Sequence, residues 1–245
     1  MKMEIQTKLN WESFEPKFGT WARKFKPFFD SGGFDPIYEF LKSESKRGKR
    51  IAPLSINRYR AFLETPFDEV KAVMVGMCPY HTWRNDTPVA DGLLMGCSVT
   101  GRLQPSLEQF YGGLEREFNN GLNLKYTKNT DVSYLAKQGV LMMNAALTTE
   151  INKAGSHIAL WEPFIKHFFE CIETEGAPII FLGKDAARYK KYVGPFKWSF
   201  TVPHPASASY KNTEWDTEGV FGSVNKVLKD NNNFNINWLD DEPPF

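Results

Sequence analysis

Four segments carry side chains able to do chemistry, and each follows a short apolar run: Gly76-Met77-Cys78-Pro79-Tyr80-His81, Asn144-Ala145-Ala146-Leu147-Thr148, Gly183-Lys184-Asp185 and His204-Pro205-Ala206-Ser207-Ala208-Ser209-Tyr210. Imidazoles can hold or move a proton near neutral pH, and an amide can offer either its oxygen or its nitrogen to a ligand edge. A thiolate can act as anion or nucleophile, but a thiol with an ordinary pKa of ~8.5 is mostly neutral at pH 7. Cys78 is therefore either a catalytic group with a depressed pKa or an inert, buried thiol. The spacing Cys78-x-x-His81, with Cys97 and His157 elsewhere, lacks the second tight pair of a zinc site. Gly183-Lys184 lacks the rest of a P-loop. No metal ion and no cofactor are expected.

The elements that must position these groups follow from periodicity. Val70–Val75 stopped by Gly76, Val140–Met143 after Gly139, Ile179–Leu182 before Gly183 and Trp198–Val202 before Pro203 read as buried strands. Helices are expected between them: from Pro105-Ser106, over about Asp131–Lys137, around Trp161–Glu173, around Asp185–Tyr192 and around Val220–Leu228. Alternating strands and helices imply an α/β three-layer sandwich around a central four-stranded parallel sheet. In such a sheet ligands meet the loops beyond the carboxyl ends of the strands, which gathers the four segments on one edge.

Residues 1–67 read as a mainly helical N-terminal part and residues 229–245 as a polar C-terminal tail, with no repeat and no clear linker, so one domain over 1–245 is expected. Lys and Arg number 30 and Asp and Glu 29, leaving +1, so attraction to a polyanion must come from local patches. Lys184 with Arg188, Lys190 and Lys191 is the better patch because it flanks a motif loop; Lys46-Arg47-Gly48-Lys49-Arg50 reads first as a solvated helix end. An aromatic content of 15% excludes a disordered chain. Three cysteines make neither a disulfide framework nor a cluster site. No stretch approaches the ~20 apolar residues of a membrane helix and the N-terminus has no apolar signal core, so an intracellular protein is expected, cytoplasmic or nucleoid-associated, monomeric and without a membrane partner.

The four segments, in this order, resemble the uracil-DNA glycosylase superfamily, specifically its family-1 branch. The first is similar to the water-activating motif G-Q-D-P-Y-H, the second to L-L-L-N-x-x-L-T and the last to the minor-groove loop H-P-S-P-L-S-x-Y. The likeness runs from about Tyr38 to Trp238 and includes Gln104-Pro105-Ser106-Leu107 and Ile236-Asn237-Trp238. It implies a DNA glycosylase that flips uracil or a modified pyrimidine out of single- or double-stranded DNA and leaves an abasic site. By that resemblance His204 hydrogen-bonds the pyrimidine O2, Asn144 reads O4 and N3, and Tyr80 sits against C5. His81, Ser106, Lys184 and Ser207 are the implied phosphate contacts.

The departures concentrate at the chemistry. Cys78 stands where the family has its catalytic Asp, Met77 where it has Gln, and Met95 about where it has the Phe that stacks on uracil. Hydrolysis through an oxocarbenium-like sugar needs negative charge, so either that charge has moved or the activity has. Asp91, in Ala90-Asp91-Gly92, is the favoured carrier and Asp86 the other. The His204–Tyr210 loop is one residue short and has no Leu wedge, Ala206 and Ala208 being too small to fill the space a flipped base leaves. The alternative is a catalytically impaired module that binds unusual DNA or a partner protein.

Overall fold

Gly76, Asn144, Leu182 and Val202 end the four apolar runs of the central sheet: β1 (Ala72–Gly76), β2 (Val140–Asn144), β3 (Ile179–Leu182) and β4 (Ser199–Val202). The computed structural model describes residues 8–119, 126–172, 177–194 and 198–239, the side chain of Asn232 excepted. The strands pair in the order β2-β1-β3-β4, all parallel, and helices flank them. Every residue of β1, β2 and β3 is buried, as expected where both faces are covered. Edge strand β4 is only partly buried.

The expected helices are present with shifted ends. They include Ala22–Asp30 and Asp35–Lys46 in the N-terminal part, then Pro105–Asn119, Ile158–Cys171 and Val220–Asn232. The stretch after Gly183 splits into one α-turn, Lys184–Ala187, and a 3-10 segment, Arg188–Tyr192. Two small antiparallel ladders were not expected: Ile51–Ala52 with Thr149–Glu150, and the hairpin Trp83–Arg84 with Thr87–Pro88.

The segment read as a His204–Tyr210 loop is a helix, Pro205–Lys211, with Pro in its first turn and His204 as its N-cap. Four small residues in a row, Ala206 to Ser209, give no apolar periodicity, so the spacing signal is silent. The polar-tail reading of 229–245 needs correcting over 229–239, where Ile236, Trp238 and Leu239 are buried; 240–245 lie outside the described residues. Asn225 fixes that stretch by exchanging two hydrogen bonds of 3.0 Å with Ile236. The basic run at residues 46–50 is spent locally: Arg47 pairs with Glu44, Lys49 with Glu150, and Arg50 lies over the Trp83 ring.

One hydrophobic cluster runs from Phe14 to Leu239. Its N-terminal lobe is built from rings: Phe164, on the helix Ile158–Cys171, lies 5.0 Å from Phe25, 5.4 Å from Phe34 and 5.7 Å from Phe28 by ring centroids. The Trp21 indole N–H donates to the carbonyl of Thr65 at 2.8 Å, which fastens the N-terminal helices to the segment leading into β1. Among the described residues no helix is long and apolar enough to cross a membrane. Phe164→Ala is expected to destabilise the protein by about 3–5 kcal/mol through lost burial and the cavity it leaves, measured by denaturant unfolding of the two proteins.

Candidate active site

Register decides where the site begins. Gly76 pairs with Asn144, and a Cβ at Gly76 would lie 2.8 Å from the Asn144 amide oxygen and 2.3 Å from Leu94. Glycine is required there so that the amide can lie across the ends of the two strands. Asn144 is 4% exposed, and its Oδ1 has no hydrogen-bond partner. Leaving a buried acceptor unpaired costs about 1–3 kcal/mol, which a ligand donor would recover. Asn144 lines a cavity of about 850 Å³, together with Met77, Cys78, Tyr80, Met95 and His204.

His204 is held by the short helix it caps. The Ala206 N–H donates to its Nδ1 at 3.1 Å, so that nitrogen is the acceptor and the ring proton sits on Nε2. Burial lowers its pKa from the ordinary ~6.5, which leaves a neutral ring with one N–H to offer. The helix is braced from below: Ser209 Oγ donates to the Pro105 carbonyl at 3.1 Å, and the buried Trp215 indole donates to the Pro203 carbonyl at 2.7 Å. Gln109 joins the same brace, accepting from Trp215 N and donating to the Thr213 carbonyl, each at 3.1 Å. Gly183, at φ +86°, lets the β3 loop approach so closely that a Cβ there would stand 3.0 Å from the His204 Cβ.

The walls are fixed differently. The Tyr80 hydroxyl is 2.7 Å from Ser106 Oγ, and burial pushes its pKa well above the ordinary value, so it remains protonated. Ser106 is buried at the start of the helix Pro105–Asn119 with its hydroxyl engaged by the ring. Ser106 and Tyr80 thus hold each other on the cavity wall. Met95 is buried on the cavity wall at φ +61°, in the left-handed region that long side chains rarely adopt. Non-glycine residues in that region concentrate at functional sites.

The three groups weighed for the negative charge, Cys78, Asp91 and Asp86, stand in different surroundings. Cys78 accepts a 3.2 Å hydrogen bond from Gly155 N–H, but burial, the largest influence, raises its thiol pKa, and the Asp185 charge raises it further. Cys78 lines the cavity as a neutral thiol. Asp91 is 1% exposed and wholly engaged: it accepts from Leu93 N, Ser98 N and Ser98 Oγ, and pairs with Arg60 Nη1 at 2.9 Å. A Cβ at Gly96 would lie 2.1 Å from its Oδ1, so this carboxylate organises the Leu93–Cys97 turn and does not line the cavity. Asp86 is exposed at the turn of the small hairpin, also away from the cavity lining.

At the rim stand His81, Lys184 and Ser207, together with Lys211, Asp185, Glu218 and Tyr210. His81 Nδ1 is a second buried atom without a partner, whereas Ser207 Oγ donates to the His204 carbonyl at 2.7 Å. Tyr210 is 87% exposed, an unusual setting for a ring. The sequence offered no signal for it beyond its place at the end of the last motif.

A parallel α/β sheet whose loops enclose uncharged polar groups beside a rim of mixed charge sets a ligand-sized cavity at the carboxyl edge of its strands. The sequence is 32% identical over 225 residues to the uracil-DNA glycosylase of Pseudomonas aeruginosa (strain UCBPP-PA14), covering 89% of this chain and 93% of the relative. It is 31% identical over 223 residues to that of Agrobacterium fabrum (strain C58), covering 89% of each. The crystal structure of mimivirus uracil-DNA glycosylase superposes with a TM-score of 0.78 at 25% identity, over 94% of this chain and 90% of that one. No protein-family model matches the sequence. The chain belongs to the uracil-DNA glycosylase family.

The His204 geometry fixes a pH response. Its folded pKa lies below its unfolded one, so its contribution to stability is complete above ~6.5 and is lost as pH falls through the folded value. Protonation also removes the acceptor for Ala206 N–H. In an NMR titration the His204 ring is expected to charge below pH ~6.5, with the Ala206 amide shift moving on the same midpoint.

Proposed function

We propose that this protein is a DNA glycosylase, acting as a monomer, that draws a uracil or a modified pyrimidine out of DNA into the cavity and hydrolyses its N-glycosidic bond, leaving an abasic site. The observation that carries this reading is the buried Asn144 amide, whose oxygen has no hydrogen-bond partner, on the wall of the same cavity as the neutral His204 ring. Uracil offers an N3–H donor between two carbonyl acceptors. The Asn144 oxygen would take N3–H while its amide nitrogen donates to O4, and His204 Nε2–H would meet O2. As the C1′–N bond breaks, its electron pair moves onto the base and concentrates at O2, where a preorganised donor stabilises the transition state more than the ground state. A neutral donor suits this task, because a cation would give up its proton to the anion it is meant to stabilise.

Tyr80, immobilised by Ser106, would lie against C5 and limit its substituents. The flexible Met95 wall would set that limit less sharply than a ring. His81, Lys184, Lys211 and Ser207 on the rim would hold the phosphates flanking the extruded nucleotide. This local grip fits a chain whose net charge is only +1. Extrusion from a duplex costs a few kcal/mol, and the exposed Tyr210 ring would repay part of it by entering the stack.

A second reading, a DNA-binding module without turnover, is favoured by one observation. Cys78, where the family motif has Asp, is a neutral thiol. Base release from single- and double-stranded oligonucleotides carrying uracil or 5-substituted pyrimidines separates the two. Release is expected, and His204→Ala is expected to slow it by roughly 100- to 1,000-fold, the usual cost of one such donor. Salt-sensitive binding with no release from any substrate would establish the binding module. Tyr210→Ala is expected to slow excision from duplexes about tenfold more than from single strands, since only the duplex demands unstacking; the ratio of the two single-turnover rates measures it.

A further inference from the structure

We propose that Asp185 supplies the anion at the reacting sugar, orienting the attacking water and accepting its proton. The inference rests on the glycosylase reading and adds the group that reading lacks. Among the described residues two carboxylates line the cavity, Asp185 and Glu218. They differ in the element that carries them: Asp185 lies in the turn directly after β3, Glu218 in the segment beyond the helix Pro205–Lys211.

Asp185 follows Gly183 by two residues. Gly183 is pinned by its N–H to the Val202 carbonyl at 2.8 Å and pressed against His204 at φ +86°. That turn fixes Asp185 at the same end of the sheet as the donor that meets the departing base. In the sheet β3 lies between β1 and β4, so the turn that carries Asp185 is flanked by the loop of Cys78 and the loop of His204 around the one cavity; the Asp185 charge accordingly opposes ionisation of the Cys78 thiol. Asp185 thus stands between the loops after β1 and β4, the two that would enclose the sugar and the glycosidic bond.

The surroundings leave this carboxylate available. Asp91 is consumed by Arg60 and Ser98, and Glu150 and Glu162 are paired with lysines, whereas Asp185 has no hydrogen bond or ion pair among the described residues. An acidic residue in the first turn of a helix is commonly a dipole partner, but Lys184–Ala187 is a single turn with little dipole to complement. A free carboxylate at the mouth of a site for a polyanion weakens binding by repulsion. Such a cost is accounted for if the charge acts on the positive sugar that forms once the base has begun to leave.

The step balances without a further reactant. The C1′–N bond breaks with its electron pair leaving on the base, which His204 Nε2–H stabilises. The water oxygen forms the new bond to C1′, its proton passes to Asp185, and solvent returns a proton to the base.

The test compares wild type, Asp185→Asn, Asp185→Glu and the exposed control Asp86→Asn on whichever oligonucleotide wild type cleaves best. Single-turnover rate, DNA affinity and thermal unfolding are measured for each. Asp185→Asn is expected to lose about 100-fold or more in rate with DNA bound as tightly as by wild type or tighter. Asp185→Glu, which keeps the charge, should stay within about tenfold of wild type, and Asp86→Asn should match wild type. Unchanged turnover in Asp185→Asn, or equal losses in Asp185→Asn and Asp185→Glu, overturns the assignment of Asp185 while leaving the glycosylase reading intact. Wild type that releases no base from any substrate overturns the glycosylase reading itself, and this inference with it.

Discussion

The in-register parallel pairing of Ala72–Gly76 with Val140–Asn144 on one side and Ile179–Leu182 on the other leaves three chains at one level of the sheet. Each must turn away from the same edge, and a fourth joins them where Leu182 pairs with Val202. Side chains more than a hundred residues apart in sequence are thereby set around one cavity without any contact made for that purpose. The glycines at the turns are the complement of this constraint. Gly76 gives the Asn144 amide its place and Gly183 gives His204 its place, and at both a Cβ would stand no more than 3.0 Å from a neighbouring side chain.

Inside the cavity the groups are neutral, and burial is the common cause. It lowers the His204 pKa and raises those of Cys78 and Tyr80, so each stays in its uncharged form near pH 7. Such an interior can hold an uncharged heterocycle by its edge and exclude ionised ligands that would lose hydration without a partner. Charge is kept to the rim, where Lys184 and Lys211 stand beside Asp185 and Glu218. On the proposed function, recognition of a base and handling of its charged backbone and sugar would be divided between these two zones.

The donor is only as precise as the element that carries it. Pro205–Lys211 is a seven-residue helix, too short to be stable alone, and it depends on the brace through Ser209, Gln109 and the buried Trp215 against the helix Pro105–Asn119. That second helix also places Ser106 under the Tyr80 hydroxyl. One helix therefore supports both the element that carries His204 and the Tyr80 side of the cavity wall. The turn holding Met95 at a left-handed φ is supported separately, by the buried Asp91–Arg60 pair.

The strands, most helices and the four motif segments were legible in the sequence because apolar runs ended by Gly or Pro report burial directly, and because Asn144, Tyr80 and His204 sit in ordered motifs. The helix at Pro205–Lys211 was not legible, since small residues carry no periodicity, and neither was the burial of Trp238 in a polar-looking tail. Sequence alone determined which residue types gather at the carboxyl edge of a parallel sheet. Tertiary structure alone decided their states. Asp91 and Asp185 are the same residue type, yet one is neutralised by Arg60 and the other stands open on the cavity. Partners and desolvation, which set what a carboxylate, a thiol or an imidazole can do, come from chain segments distant in sequence and exist only once the fold has brought them together.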